Sequence, residues 1–290
     1  MLKLVMSPFE LAEPRSLHEA LALLDPDDTA IRPMSGGTAL MLMMKAGVLR
    51  PTRLVSLRRL GLSGIELGPQ GELRVGSMVS LRRMETSDLV KRGWRVIART
   101  LRTLSNVRVR NVATVGGHLA HADPHMDLPP LLAALGARVT IENENGKRTV
   151  PVAEISTGYL ETSIRRNELI TALEVPPLGG RCAVYLKCTT RSADDWPALG
   201  VAVLMNFQGE TVQELKLVIS AATDKPTRLV SAERLLKGQA LDERLLKQAG
   251  EAAAEEVQIE GDLHGSAGYK KQLLRVYLRR AIHEARHPVD

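Results

Sequence analysis

Apolar positions recur along the chain with two periods, and the switches between them divide it into three regions. In residues 1–57, Leu17 to Leu24 carries helical spacing, with Ser16 placed as N-cap and Glu19 at the capping-box position. Asp25-Pro26-Asp27-Asp28 stops that helix. Ala30 to Met34 and Arg53 to Leu57 predict short strands. Between them Thr38 to Ala46 predicts a helix, entered through the turn Ser35-Gly36-Gly37-Thr38. In residues 58–176, Leu73 to Ser77 and Arg138 to Glu142 predict strands and Leu89 to Leu104 a helix. The stretch Ser105 to Pro130, rich in Gly, Asn, His, Asp and Pro, predicts a long loop, which inside a compact domain is usually functional. The cluster Pro176-Pro177-Leu178-Gly179-Gly180 marks a boundary. In residues 181–290, strands over Ala183 to Thr190, Leu199 to Phe207 and Glu214 to Ala221 precede helices over Thr227 to Leu236, Asp242 to Glu256 and Tyr269 to Arg286. Strands followed by helices predict an α+β domain with a three-stranded antiparallel sheet.

Composition narrows the classes of function. At 290 residues the chain is long enough for two or three small cores. Hydrophobic residues at 44% and charged residues at 25% exclude disorder as the default. No stretch approaches the roughly 20 apolar residues of a membrane span, and Met1 to Glu10 lacks an apolar signal core. The expected location is the cytoplasm, or export only alongside a partner that carries a signal. Net charge is +6, but the basic residues are scattered without interleaved aromatics, which argues against nucleic acid. The densest patch, Arg50 to Arg59, reads as a solvated face or as a docking face for an acidic partner. Two cysteines, Cys182 and Cys188, cannot hold an iron–sulfur cluster of four-thiolate type, and they miss the CxxC spacing.

Candidate chemistry concentrates in two glycine turns. Ser35-Gly36-Gly37-Thr38 lies between a strand and a helix, where glycine permits close backbone approach and the helix start offers unpaired N–H groups to a phosphate. Thr114-Val115-Gly116-Gly117-His118 offers a second such turn, and two of them can clamp a diphosphate from both sides. Alone, the first is indistinguishable from an ordinary turn. A metal site built from His118, His121, Asp123, His125 and Asp127 is the rival, but the spacing matches no known ligand pattern. GxGxxG and the P-loop are both absent, so a dinucleotide must bind by another fold.

The residues resemble the flavoprotein subunits of molybdenum hydroxylases, the group of aerobic carbon monoxide dehydrogenase, the xanthine dehydrogenase FAD domain and quinoline oxidoreductase. Ser35 to Thr38 with Met44-Lys45 is similar to the family's first FAD loop, and Arg110 to His118 with Asp127-Leu128-Pro129-Pro130 to its second. Lys187 to Asp195 resembles its K-x-x-x-R-x-x-D segment, and Asp262 to Tyr269 with Arg279-Arg280-Ala281 its C-terminal helix. The resemblance runs from about residue 8 to 285. It implies the FAD-binding fold of p-cresol methylhydroxylase and vanillyl-alcohol oxidase: two α/β subdomains, 1–57 and 58–176, and a C-terminal α+β domain, 181–290. It implies non-covalent FAD, its pyrophosphate held near Ser35, Gly36, Gly37 and Thr38 and near Thr114, Gly116 and Gly117. Asp127 falls at the family's ribityl contact and Lys187 at a lysine near the isoalloxazine ring. His118 stands where such subunits usually carry Asn or Asp, and Trp196 where they often carry Ile. Trp196 reads as packing or as a stacking group near the flavin. Arg108 and Arg110 read as contacts to phosphate or partner, or as surface. Met34, Met41, Met43 and Met44 read as core filler or as a partner-facing lining.

The same resemblance implies an oxidoreductase subunit without catalytic residues of its own for an organic substrate. Molybdopterin belongs to a partner large subunit and a 2Fe-2S cluster to a partner small subunit, in a dimer of heterotrimers. FAD here takes electrons from the iron–sulfur partner and passes them to an external acceptor. A self-sufficient FAD oxidoreductase of the same fold, or a scaffold without FAD, are the alternatives.

Overall fold

The first region folds around its predicted N-cap. In the computed structural model, which describes residues 7–287, Ser16 Oγ accepts from Glu19 N, and the Glu19 carboxylate reaches back to Arg15 N. Residues 1–6, and any reading of them as a leader, lie outside the described part. Strands β1 (Glu10–Ala12), β2 (Ile31–Met34) and β3 (Arg53–Ser56) form a parallel sheet with β3 central. Helix α1 (Leu17–Ala22) links β1 to β2, and α2 (Thr38–Lys45) links β2 to β3. The small core under this sheet joins Ala20, Leu21, Val55 and Leu57 to Leu169 of the second unit.

The second unit adds β4 (Ile65–Leu67), β5 (Leu73–Gly76), β6 (Arg138–Asn143), β7 (Gly146–Pro151), the small hairpin β8 (Ser156–Gly158) and β9 (Glu161–Thr162), and β10 (Leu169–Val175). Its main sheet is antiparallel, in the order β4-β5-β10-β6-β7. Before β6 come six helices: α3 (Leu81–Thr86), α4 (Asp88–Gly93), α5 (Arg95–Thr103), α6 (Val107–Val112), α7 (Val115–His121) and α8 (Leu128–Ala134). Two expectations need correcting here. The helix expected over Leu89 to Leu104 is two helices, broken at Trp94, whose φ/ψ of −138/53 is not helical and whose indole N–H donates to Pro176 O. The long loop expected over Ser105 to Pro130 is largely helical. Asn106 caps α6 through Val109 N, Thr114 caps α7 through Gly117 N, and Pro129 and Pro130 stand in the first turn of α8, where a missing N–H costs nothing. The residues that read as loop formers are helix starts.

The third unit is the antiparallel sheet β11 (Cys182–Thr189), β12 (Pro197–Gln208), β13 (Thr211–Ser220) and β14 (Thr227–Arg228), followed by α9 (Val230–Leu236), α10 (Glu243–Glu256) and α11 (Ala267–Arg286). The expected three strands are present, with a two-residue fourth at the edge. From Pro197 to Met205 every residue of β12 is buried. This sheet is covered on both faces, so its central strand is continuously apolar rather than alternating. Leu204 and Val218 belong to the core of the second unit, whereas Val201, Val203 and Leu217 pack with Leu274 and Leu278 of α11. Cys182 and Cys188 are free thiols on β11. No described helix is long and apolar enough to cross a membrane.

Candidate functional site

The two glycine turns meet. Ser35 Oγ and Thr114 Oγ1 lie 2.5 Å apart, one hydroxyl donating to the other, and this contact joins β2–α2 to the start of α7. The approach requires glycine. A Cβ on Gly36 would overlap the Val112 carbonyl oxygen, and one on Gly116 would sit 2.6 Å from Ser77 Cβ. Gly37 holds φ +72 as N-cap of α2, a conformation costing other residues about 1–2 kcal/mol. Gly117 does not share that conformation. It lies within the first turn of α7, where a Cβ would stand 3.0 Å from Thr114 Oγ1 and 3.3 Å from Ser35 Cβ.

Between the turns opens a cavity of about 330 Å³, of cofactor-binding size. Ser35, Gly36, Gly37, Thr38, Thr114, Gly116, Gly117 and His118 all line it. The two turns contribute differently. No side chain caps α2, and the residues of its first turn, whose N–H groups have no partner within the helix, line the cavity. At α7 the N–H groups of Val115, Gly116 and Gly117 are already donated to Val79 O, Ser77 O and Thr114 Oγ1. The second turn therefore departs from the expectation that both offer free amides. The second presents its glycine surface and two buried polar atoms without hydrogen-bond partners, Ser77 Oγ and His118 Nε2. Sequence reading missed Ser77, Arg32, Arg165 and Arg166, all of which line the cavity. The arginines come from β2 and from the segment after β9, where nothing local in the sequence ties them to a glycine turn.

His118 is buried, and burial first, then the neighbouring His121, lowers its pKa to about 4 against a weaker pull from Asp123. Its imidazole is therefore neutral at neutral pH. Between about 6.5 and about 4 the unfolded chain takes up a proton at this residue and the folded chain does not, so stability falls on acidification through that window. His118→Asn is expected to flatten this part of the pH profile, measured by urea unfolding across the window. An unchanged slope would assign the acid sensitivity to other groups.

Asp127 and Lys187 lie outside this cavity's lining and pair with each other. Lys187 Nζ donates to Asp127 Oδ2 at 2.9 Å, to Thr103 O at 2.8 Å and to Asp195 O at 3.2 Å, while Tyr185 donates to Asp127 Oδ1 at 2.7 Å. Burial raises the Asp127 pKa, opposed by Lys187 and Tyr185. The group bridges the start of α8 to β11. Lys187 also lines a second cleft with α5. Arg110 is not a phosphate contact: it is buried and donates to Glu85 at 2.9 Å and to the carbonyls of Leu104 and Ser105, fixing α6 to α3. Of the suspected metal ligands Asp123 pairs with His125 and Asp127 with Lys187, and no cluster of three metal-binding side chains occurs among the described residues. Met44 is core, whereas Met43 lines the cavity.

Two family models cover nearly the whole chain. Residues 7–178 match the FAD binding domain in molybdopterin dehydrogenase, and residues 184–285 match the CO dehydrogenase flavoprotein C-terminal domain. The chain belongs to this flavoprotein family. It is 30% identical to the glyceraldehyde dehydrogenase medium chain of Sulfolobus acidocaldarius, over 95% of this chain and 98% of that one. It is 29% identical to the carbon monoxide dehydrogenase medium chain of Hydrogenophaga pseudoflava, over 96% of each. A solved structure of the carbon monoxide dehydrogenase from Hydrogenophaga pseudoflava, a form lacking the Mo-pyranopterin moiety, superposes with a TM-score of 0.93, covering 98% of this chain and 99% of that chain. The chain is thus a medium, FAD-binding subunit of the molybdenum hydroxylase type, an oxidoreductase component. The cavity fits that cofactor: an uncapped helix start and two buried polar atoms in want of partners.

Proposed function

We propose that this chain holds FAD non-covalently in the cavity between its two glycine turns and serves as the electron-transfer subunit of a cytoplasmic complex. In that complex a molybdopterin-binding large subunit oxidises the organic substrate. A 2Fe-2S small subunit supplies the electrons, and the unit repeats as a dimer of heterotrimers. FAD, when bound, would supply the redox chemistry between the iron–sulfur partner and an external acceptor. The chain's own residues bind and orient. The open amides at Gly37 to Leu40 suit the diphosphate, and Ser35 and Thr114 hold the two turns at the necessary spacing. Ser77 Oγ and His118 Nε2 take up hydrogen bonds from or to the cofactor. The Asp127–Lys187 pair fixes the neighbouring edge of the C-terminal unit. The chain would divide into three parts, 1–57, 58–176 and 181–290, with the cavity between the first two.

The observation that carries this reading is the meeting of both glycine turns, through Ser35 and Thr114, around buried polar atoms that lack partners. The purified chain is expected to be yellow, and acid precipitation to release FAD into the supernatant. A colourless protein that takes up no FAD would overturn the binding claim, and flavin retained on the precipitate would overturn the non-covalent one.

A further inference from the structure

Away from the cavity, one cluster joins three segments distant in sequence: Asp123 and His125 after α7, Trp196 before β12, and Asp262 with His264 before α11. His125 Nδ1 lies 2.9 Å from Asp123 Oδ1, and His125 Nε2 lies 2.9 Å from Asp262 Oδ2. A neutral imidazole has one N–H and one bare nitrogen. With a carboxylate against each nitrogen, the neutral ring would leave one contact between two lone pairs, whereas the imidazolium donates to both. Lys270, 1% exposed, donates to the same Asp262 oxygen at 2.7 Å and to Ala221 O at 2.8 Å. The charges of Asp123, His125, Asp262 and Lys270 alternate in sign and cancel. Trp196 stacks on the His125 ring with centroids 5.2 Å apart and planes inclined by 10°, a geometry that favours a cation against an indole face. Beside the cluster, Ala221 N donates to Pro124 O, so backbone and side chains tie the same two units together.

We propose that His125 is a doubly protonated positioning residue, a clasp that fastens the C-terminal unit to the segment between α7 and α8 and holds Trp196 in register with it. The clasp fixes Asp123 to Asp127 from one side as Lys187 does from the other. The titratable groups facing it are Asp123, Asp262, His264 and Lys270, with His121 acting on Asp123. Burial opposes the charge on His125, but hydrogen bonds to Asp123 and Asp262 outweigh it and raise its pKa above 6.5. A raised histidine contributes its full stabilisation below its ordinary pKa and loses it as pH rises through the folded value. The clasp therefore opens on the alkaline side.

Trp196 reports on this directly in the full-length chain, because an imidazolium quenches an indole stacked on it and Trp94 is the only other tryptophan. The Trp196 emission, taken as the difference between the wild type and Trp196→Phe, is expected to be quenched near about pH 6. It is expected to rise with a midpoint above 6.5, the ordinary histidine value. His125→Gln should abolish the titration and His264→Gln should keep it. A wild-type signal flat with pH, a midpoint at or below the ordinary value, or a titration that survives His125→Gln would overturn the proposal. Should His125→Gln fail to fold, nitrogen NMR of the wild-type ring at about pH 7 decides: two protonated nitrogens support the clasp and one bare nitrogen refutes it.

Discussion

Lys187→Ala is expected to destabilise the fold by about 3–5 kcal/mol, the scale on which removing one partner of a buried ion pair leaves the other charge stranded. Asp127 and Lys187 have side chains 5% and 8% exposed, and the three polar contacts of the Lys187 ammonium are all internal. Without the ammonium, Asp127 keeps only the Tyr185 hydroxyl as a side-chain donor. Replacing both members together, as in Asp127→Leu with Lys187→Met, is expected to cost less than Lys187→Ala alone, because no uncompensated charge remains buried. Urea unfolding of the two variants measures the difference. A Lys187→Ala chain as stable as wild type would show that the pair is solvated in solution and that the unit boundary is held elsewhere. The variant therefore reports on folding before it reports on flavin reduction, and any electron-transfer role for Lys187 is read only after that loss is accounted for.

Gly117→Val is expected to lose FAD almost completely while the chain remains folded. Even the first carbon of the new side chain stands 3.0 Å from Thr114 Oγ1 and 3.3 Å from Ser35 Cβ, the two residues whose hydroxyls join the turns. Overpacking of this kind costs about 1–3 kcal/mol, and here the readiest relief is to part the two turns and deform the cavity. Gly47→Ala is the contrasting variant. It strains a backbone at φ +73 outside the cavity lining, and its nearest neighbour, Arg50 Nη2, would be 3.9 Å away, so it should weaken the fold and keep the flavin. Flavin-to-protein absorbance ratios and urea midpoints separate the two effects. A Gly117→Val chain with wild-type flavin content and stability would remove the joined turns from the binding site.

How much of the molecule was legible in the sequence differs from residue to residue for physical reasons. The run α1–β2–α2–β3 was readable because Ser16, Ser35-Gly36-Gly37 and the apolar spacing act locally and agree. The long strands β11, β12 and β13 were readable because β-rich apolar runs of that length admit few other structures. Strand β10 went unread although it is central to its sheet, because Leu169 to Val175 runs straight into the Pro-Gly boundary that ended the pattern. The stretch Ser105 to Pro130 was misread because Asn, Thr, Gly and Pro serve equally as loop formers and as the caps of short helices, and only tertiary contacts decide between the two roles. Within the site, the glycines were visible because a motif marks them. Ser77, Arg32, Arg165 and Arg166 were not, since each reaches the cavity from an element whose neighbour in space is remote in sequence. The same limit hid the His125–Asp262 contact, whose partners are brought together only by the packing of α11 against the third sheet.

The relay reading assigns the flavin to this chain and the metal centres to its partners. This chain offers a cofactor cavity and, among its described residues, no metal-binding cluster and no disulfide-bonded or clustered cysteines. The measurement that bears on it most directly is the bleaching of flavin absorbance under anaerobic conditions with an organic substrate of the complex. The chain is tested first alone and then together with its molybdenum and iron–sulfur partners. Alone, the FAD-loaded chain is expected to leave the flavin oxidised, and with both partners present to bleach in a substrate-dependent way. Substrate oxidation by the isolated chain at ordinary enzymatic rates, on the order of 1–1,000 per second, would contradict the relay and make this chain a self-sufficient flavoenzyme.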